Sequence, residues 1–147
     1  MARDIYERAL WLAMREGLGA HFNLRRIENL VGVGDPDVYW CAQGIRGLSG
    51  WLELKVGLMP TREHTKVFST HCMEASQINR IEELLRHGAC VHILTRVSDC
   101  TLLLHGAHAP KINSLSFAGL CCIADWMHTG KMNADIWASL ANRIMAV

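Results

Sequence analysis

Asp37, Glu53 and Lys55 are the residues of this chain whose types and spacing can do hydrolytic chemistry. Pro36-Asp37 opens a short run of strand formers, Val38-Tyr39-Trp40. Glycines at 44, 47 and 50 follow, and then Trp51-Leu52-Glu53-Leu54-Lys55. Two such runs joined by a Gly-rich turn read as a β-hairpin. Two-residue alternation puts Glu53 and Lys55 on one face and Leu52 and Leu54 on the other, and the hairpin can set the Asp37 carboxylate beside Glu53. Carboxylates about 4 Å apart repel by about 4 kcal/mol at an effective dielectric near 20, a large penalty for a marginally stable domain. A divalent cation removes the conflict. Hard oxygen ligands without thiolate or imidazole suit Mg²⁺, with Mn²⁺ as a substitute. Waters on such an ion can be aimed at a phosphate, while Lys55 orients or helps deprotonate the attacking water and offsets charge developing on phosphorus. The implied reaction is phosphodiester hydrolysis. Taken singly, Glu-x-Lys is a common strand ion pair and Pro-Asp an ordinary turn; the joint spacing is what points to chemistry.

These residues need elements to hold them. Residues 4–16 lack Gly and Pro and end at Gly17 and Gly19, which predicts a helix. Its apolar positions are Ile5, Ala9 and Leu12 on one stripe and Trp11, Met14 and Leu18 on another. Glu7 falls between them at the border of the interior; it is also four residues from Arg3, an ion-pair spacing. Strands are expected over residues 21–30, 37–42, 50–56, 89–97 and 101–105. Between the third and fourth, residues 73–87 carry Ile78, Ile81 and Leu85 at helical intervals and stop at Gly88, a left-handed cap. Strand, helix, strand predicts parallel pairing within one mixed sheet. Residues 57–70, holding Pro60, Arg62, His64 and Lys66, read as a mobile loop. Residues 114–128 are apolar around most of a helical circumference, and Ala134–Met145 forms a broad apolar stripe after Asn133, a candidate cap. Both segments are expected to be helical, covered either by the chain's own sheet or by a second copy.

With the Pro36-Asp37 and Glu53-x-Lys55 pattern in place, the chain resembles the PD-(D/E)XK nuclease superfamily. Within it the resemblance extends to the VRR-NUC domain and the phage Holliday-junction resolvases like it. The further residues that carry it are Glu7 on the first helix, the segment Arg26-Ile27-Glu28-Asn29-x-Val31-Gly32-x-Gly34 leading into Pro36-Asp37, and Gln77 at the start of the second helix. It covers about residues 3 to 97. Asp35 departs from the family, which usually has an apolar residue before the proline, and so adds a second aspartate. The resemblance implies an α/β fold with a restriction-endonuclease-like core: a mixed β-sheet of about five strands flanked by helices. It implies that Glu7, Asp37 and Glu53 bind Mg²⁺, that Lys55 is the catalytic lysine, and that Gln77 steadies it or the water. It also implies branched DNA as substrate and a homodimer making paired nicks. On their residues alone, Glu7 can be an ordinary helix ion pair, Gln77 a solvated helix residue, and Glu28 either a member of the acidic cluster or a strand cap.

The chain has 147 residues, half of them apolar and a fifth charged, which suits one domain over residues 1–147 with a core over about 3–106 and a helical extension over about 112–147. Fifteen Lys and Arg against fourteen Asp and Glu leave a formal charge of +1. A nucleic-acid partner must therefore be met by local cations. The candidates are Arg25, Arg26 and Arg46 near the acidic site, and Arg62 and Lys66 in the loop; phosphate contacts of this kind position the substrate without reading sequence. No apolar run reaches the roughly 18 residues of a membrane span. The six cysteines lack a Cys-x-x-Cys pair and are expected to be reduced thiols in a cytoplasm, the host cell's if the protein is phage-encoded. Cys72 beside His71 mimics a nucleophile pair without any oxyanion signal. The leading expectation is a Mg²⁺-dependent four-way-junction endonuclease. The alternatives are a structure-nonspecific or restriction-like nuclease, and a non-catalytic DNA-binding or assembly protein with this fold.

Overall fold

The structure is a computed structural model that describes residues 2–28, 34–68 and 72–146, with side chains from residue 6 onward. Six strands form one sheet in sequential order: β1 (Phe22–Arg26), β2 (Val38–Ala42), β3 (Ser49–Gly57), β4 (Val91–Val97), β5 (Cys100–His105) and β6 (Trp126–Thr129). All neighbours are antiparallel except β3 and β4, which run parallel because helix α2 (Ala75–Arg86) carries the chain back between them. The expected mixed α/β sheet is thus present, with one strand more than the sequence suggested.

Each face of the sheet is covered. Helices α1 (Ala2–Leu18) and α4 (Ala134–Met145) pack on the side that carries Leu52, Leu54, Leu94 and Leu103. Helix α2, a 3-10 helix over Gly106–Ser114 and the short helix α3 (Phe117–Ile123) cover Val91, Ile93, Val97, Leu102 and Leu104. Strand β4, enclosed on both sides, has only one residue that is not buried, as expected of a parallel strand in the middle of a layered fold.

Two sequence expectations are corrected here. In α1 the buried positions are Leu10, Trp11, Met14 and Leu18, whereas Ala9 and Leu12 are exposed. The bulkier of the two apolar stripes wins the interior. Glu7, four residues before Trp11, therefore lies on the inward stripe. Residues 114–128 are not one helix: they end the 3-10 turn, form α3 and then β6, which pairs Leu103 with Trp126 and Cys100 with Thr129. The C-terminal third accordingly supplies a strand of the sheet and packs on both of its faces, α3 on the α2 side and α4 on the α1 side. The apolar stripe of α4 (Trp137, Leu140, Ala141, Ile144) is buried against its own chain, so it offers no argument for a second copy.

The segment after β3 is also tied down where it is described. Phe68 is buried, Val67 N donates to Leu115 O at 3.2 Å, and Lys66 bridges to Ser116. At its start, Ser98 N donates to Gly57 O and Met59 N donates to Ser98 Oγ. These contacts pin the two ends of the expected loop, residues 57–59 and 66–68.

Candidate active site

The β2–β3 hairpin sets the site. Val38 pairs with Leu52, so Asp37, one residue earlier, stands across from Glu53. Strand β2 supplies no backbone partner beyond that point, and the Leu54 N–H is taken instead by Asp37 Oδ2 at 2.8 Å. The aspartate thus caps the end of the ladder and is held alongside β3 by the same bond.

Alternation along β3 does the rest. Leu52 and Leu54 enter the α1-side core, while Glu53 and Lys55 face α2. Glu53 is completely buried and Lys55 nearly so. Lys55 Nζ lies 3.2 Å from Glu53 Oε1, and Gln77 Nε2 donates to the same oxygen at 3.0 Å. Gln77 Oε1 in turn accepts from Glu74 N at 3.0 Å and from Lys55 Nζ at 3.5 Å. One amide therefore closes the capping box of α2 and clamps both members of the Glu53–Lys55 pair. Gly34 completes the mount. Its φ is +94°, and a Cβ there would collide with the Ser76 carbonyl, so only glycine lets the chain pass this close to the first turn of α2 on its way into Pro36-Asp37.

The electrostatics are uneven. Burial, and then the Asp37 carboxylate, push the Glu53 carboxyl up to about 8, against the opposing pull of Lys55. For Lys55, burial favours the neutral amine, but Glu53, Cys72 and Glu7 outweigh it and the net shift is upward. Lys55 is therefore an ammonium, suited to donating hydrogen bonds and offsetting negative charge; it is not a free base. Glu53 Oε2 is buried and receives no hydrogen bond from an N–H or hydroxyl among the described residues; without a cation, the conflict with Asp37 is relieved by a proton held between the two carboxylates, a place that a cation can take instead. Its neighbours are carboxylate oxygens, the donor type preferred by Mg²⁺ and Mn²⁺. Asp37 and Glu53 would hold such an ion. Glu7, half-buried, is close enough to act on Lys55. Among the described residues, however, no three Asp, Glu, His or Cys side chains stand ready-made around an ion. The expected triad of Glu7, Asp37 and Glu53 is thus not preassembled.

The structure sorts the remaining candidates. Asp35 Oδ1 accepts from Arg80 Nε at 2.7 Å, and Arg80 also holds Glu83; Asp37 is the aspartate across from Glu53. Glu28 is exposed. Residues 29–33 and His71 lie outside the described residues. Arg25 and Arg26 are exposed on β1, Arg26 opposite Val38, and Arg62 and Lys66 are exposed beyond β3. Arg46 corrects an expectation: it sits in the β2–β3 turn, before Ser49, at the end of the hairpin away from Asp37 and Glu53, because the turn reverses the chain there. Sequence reasoning missed the Arg80–Asp35 pair and the approach of buried Cys72 to Lys55. Neither has a signal in local spacing.

No protein-family profile matches the chain, and no curated protein matches it. Among solved structures, the chain is similar to Hjc of Archaeoglobus fulgidus, described as a Holliday junction resolvase from an archaeal hyperthermophile. The identity is 13%, the match covers 91% of this chain and 97% of that one, and the TM-score is 0.49.

Proposed function

We propose that this protein is a metal-dependent DNA endonuclease of the PD-(D/E)XK type, acting as a phage-type resolvase on four-way branches, with a homodimer supplying the paired cuts. The observation that carries the reading is the Glu53–Asp37 pair: a fully buried carboxyl set so close to a second one that it is pushed up to about 8, with Lys55 two residues along the same strand. A purely structural Glu–Lys pair does not need the second acid.

In this reading Asp37 and Glu53, with Glu7 drawn in, hold Mg²⁺. When bound, that ion supplies an activated water and neutralises charge on the phosphate. The chain's own groups do the positioning. Lys55 Nζ, fixed by Glu53 and Gln77, donates toward the phosphate and offsets the charge that grows as the water oxygen joins phosphorus and the ester oxygen leaves. Gln77 keeps Glu53 and Lys55 in register, and the Asp37 bond to Leu54 N fixes the distance between the two carboxylates. Arg26, Arg62 and Lys66 would neutralise flanking phosphates, with Arg25 and the more distant Arg46 as further contacts.

The test is nicking of a four-way junction and of linear duplex with Mg²⁺ or Mn²⁺, using Asp37→Asn and Lys55→Ala. Junction cutting that disappears in both variants is expected. Cutting that persists in both removes the catalytic assignment. Equal cutting of junction and duplex assigns a structure-nonspecific nuclease, and absence of both cutting and calorimetric Mn²⁺ binding assigns a non-catalytic DNA-binding protein.

A further inference from the structure

A second anion-binding feature lies on the other side of the sheet. Arg96 of β4 shares a face with Leu94, the face covered by α1 and α4. Its Nε is buried and has no hydrogen-bond partner. Lys55, Arg80 and Arg143 each pair with a carboxylate, whereas among the described residues none pairs with Arg96. The side chain lines a cleft of about 640 Å³ between the C-terminal half of α1 and the start of α4, together with Lys131, His21, Glu16, Gly17 and Trp137. Gly17 fixes its floor: the Trp137 ring lies so close to the α1 backbone that a Cβ at position 17 would collide with it. The cleft is a notch whose two permanent cations outnumber its single acid.

Arg96 lines the cleft with no carboxylate partner among the described residues, so an anion entering the cleft meets an uncompensated guanidinium. We infer that this cleft holds a backbone phosphodiester of the DNA arm leading away from the cut, an inference that rests on the nuclease reading above. Helix α1 connects the two places. It carries Glu7 toward Lys55 at one end and lines the cleft with Glu16 and Gly17 at the other. The register pairs Arg96 with Val56, next to Lys55, so the cleft opens behind the catalytic strand on its other face, and a phosphate there belongs to an arm that passes around the edge of the sheet. Arg96 and Lys131 would thus extend the footprint past the scissile bond and fix the direction of the arm, without reading sequence.

The test is fluorescence anisotropy of the full chain on a labelled junction and duplex in EDTA, between 50 and 200 mM NaCl, comparing wild type with Arg96→Gln, Lys131→Gln and, as a control for net charge, Lys111→Gln, an exposed lysine outside the cleft. Each cleft variant is expected to weaken binding and to lower the slope of log affinity against log salt by about 0.9, so that the salt-induced loss over this range is about threefold smaller than in wild type. Single methylphosphonates scanned outward from the cut should at one position weaken wild type and leave Arg96→Gln no weaker than before. Affinity and slope that match wild type in both cleft variants, or that change equally in Lys111→Gln, overturn the inference. Protection against thermal unfolding by inorganic phosphate that is lost in Arg96→Gln without any change in DNA binding assigns a small-anion site and also overturns it. Lys131 is exposed, so its variant decides the matter if Arg96→Gln fails to fold. A wild type that binds DNA through the cleft and never nicks sinks the endonuclease reading alone; one that nicks while both cleft variants bind normally sinks this inference alone.

Discussion

Replacing Glu53 by Gln should make the metal-free protein more stable at alkaline pH, and the size of the gain follows from the site. The Glu53 carboxyl is raised from 4.5 to about 8, first by burial and then by Asp37. Between those values the folded state binds more protons than the unfolded chain, so stability falls as pH rises. At about 1.4 kcal/mol per pH unit the whole shift corresponds to about 5 kcal/mol, of which about 2 kcal/mol is lost above pH 6.5. The Lys55 shift is also upward and begins above 10.5, outside this window. Urea unfolding of wild type in EDTA from pH 6.5 to 9 should therefore lose about 2 kcal/mol, and Glu53→Gln should lack this loss, any slope it keeps running the other way because Lys55 no longer has Glu53 to oppose its burial. Mg²⁺ at millimolar concentration should restore most of the loss in wild type and little in the variant, because a ligand stabilises only what it binds. Parallel pH curves for the two proteins, or equal stabilisation by Mg²⁺, would refute both the buried-carboxylate argument and the assignment of Glu53 as a metal ligand.

Three other outcomes are expected. His92, buried on β4, is lowered from 6.5 to about 4 by burial and then by His105; the folded state resists its protonation, so the stability it confers is complete above pH 6.5 and about 3 kcal/mol is lost as pH falls toward 4. Because Glu53 acts in the opposite sense over part of that range, the loss should be read as the difference between wild type and His92→Phe in urea unfolding, and identical acid limbs would contradict it. Gln77→Ala should lower stability by about 1 kcal/mol through the lost cap and depress nicking further by freeing Glu53. Gln77→Glu, which keeps the acceptor for Glu74 N and loses the donor to Glu53, should regain the cap without regaining activity. Gly34→Ala should cost about 1–3 kcal/mol through its positive φ and the Ser76 carbonyl, detected by denaturation, and nicking should fall with it as Asp37 shifts against α2.

The hairpin was readable because strand alternation is strict: once Glu53 and Lys55 share a face, Leu52 and Leu54 must enter the opposite core, and the register carries Asp37 across from Glu53. Helix α2 was readable from Ile78, Ile81 and Leu85 and its Gly88 stop. What remained hidden depends on contacts distant in sequence. Strand β6 has four residues and alternates half-buried with exposed positions; within the apolar run of residues 114–128 that short period is indistinguishable from one side of a helix, and only pairing with β5 decides it. The inward stripe of α1 is chosen by the size of Trp11 and Met14 against the sheet, not by helical spacing, which both stripes satisfy. The Arg80 grip on Asp35 joins residues forty-five apart, and Gln77's double use as cap and clamp requires knowing where α2 begins relative to β3.

The Asp37 bond to Leu54 N has a corollary for metal choice. One oxygen of that carboxylate already accepts from the backbone, so end-on contact through the other oxygen is the mode that leaves the strand terminus undisturbed. Ca²⁺ favours six to eight oxygens and often takes a carboxylate through both, whereas Mg²⁺ accepts single-oxygen contacts and keeps its own waters. A monodentate aspartate therefore favours the smaller ion, and calcium should occupy the pocket weakly while leaving the backbone of DNA intact.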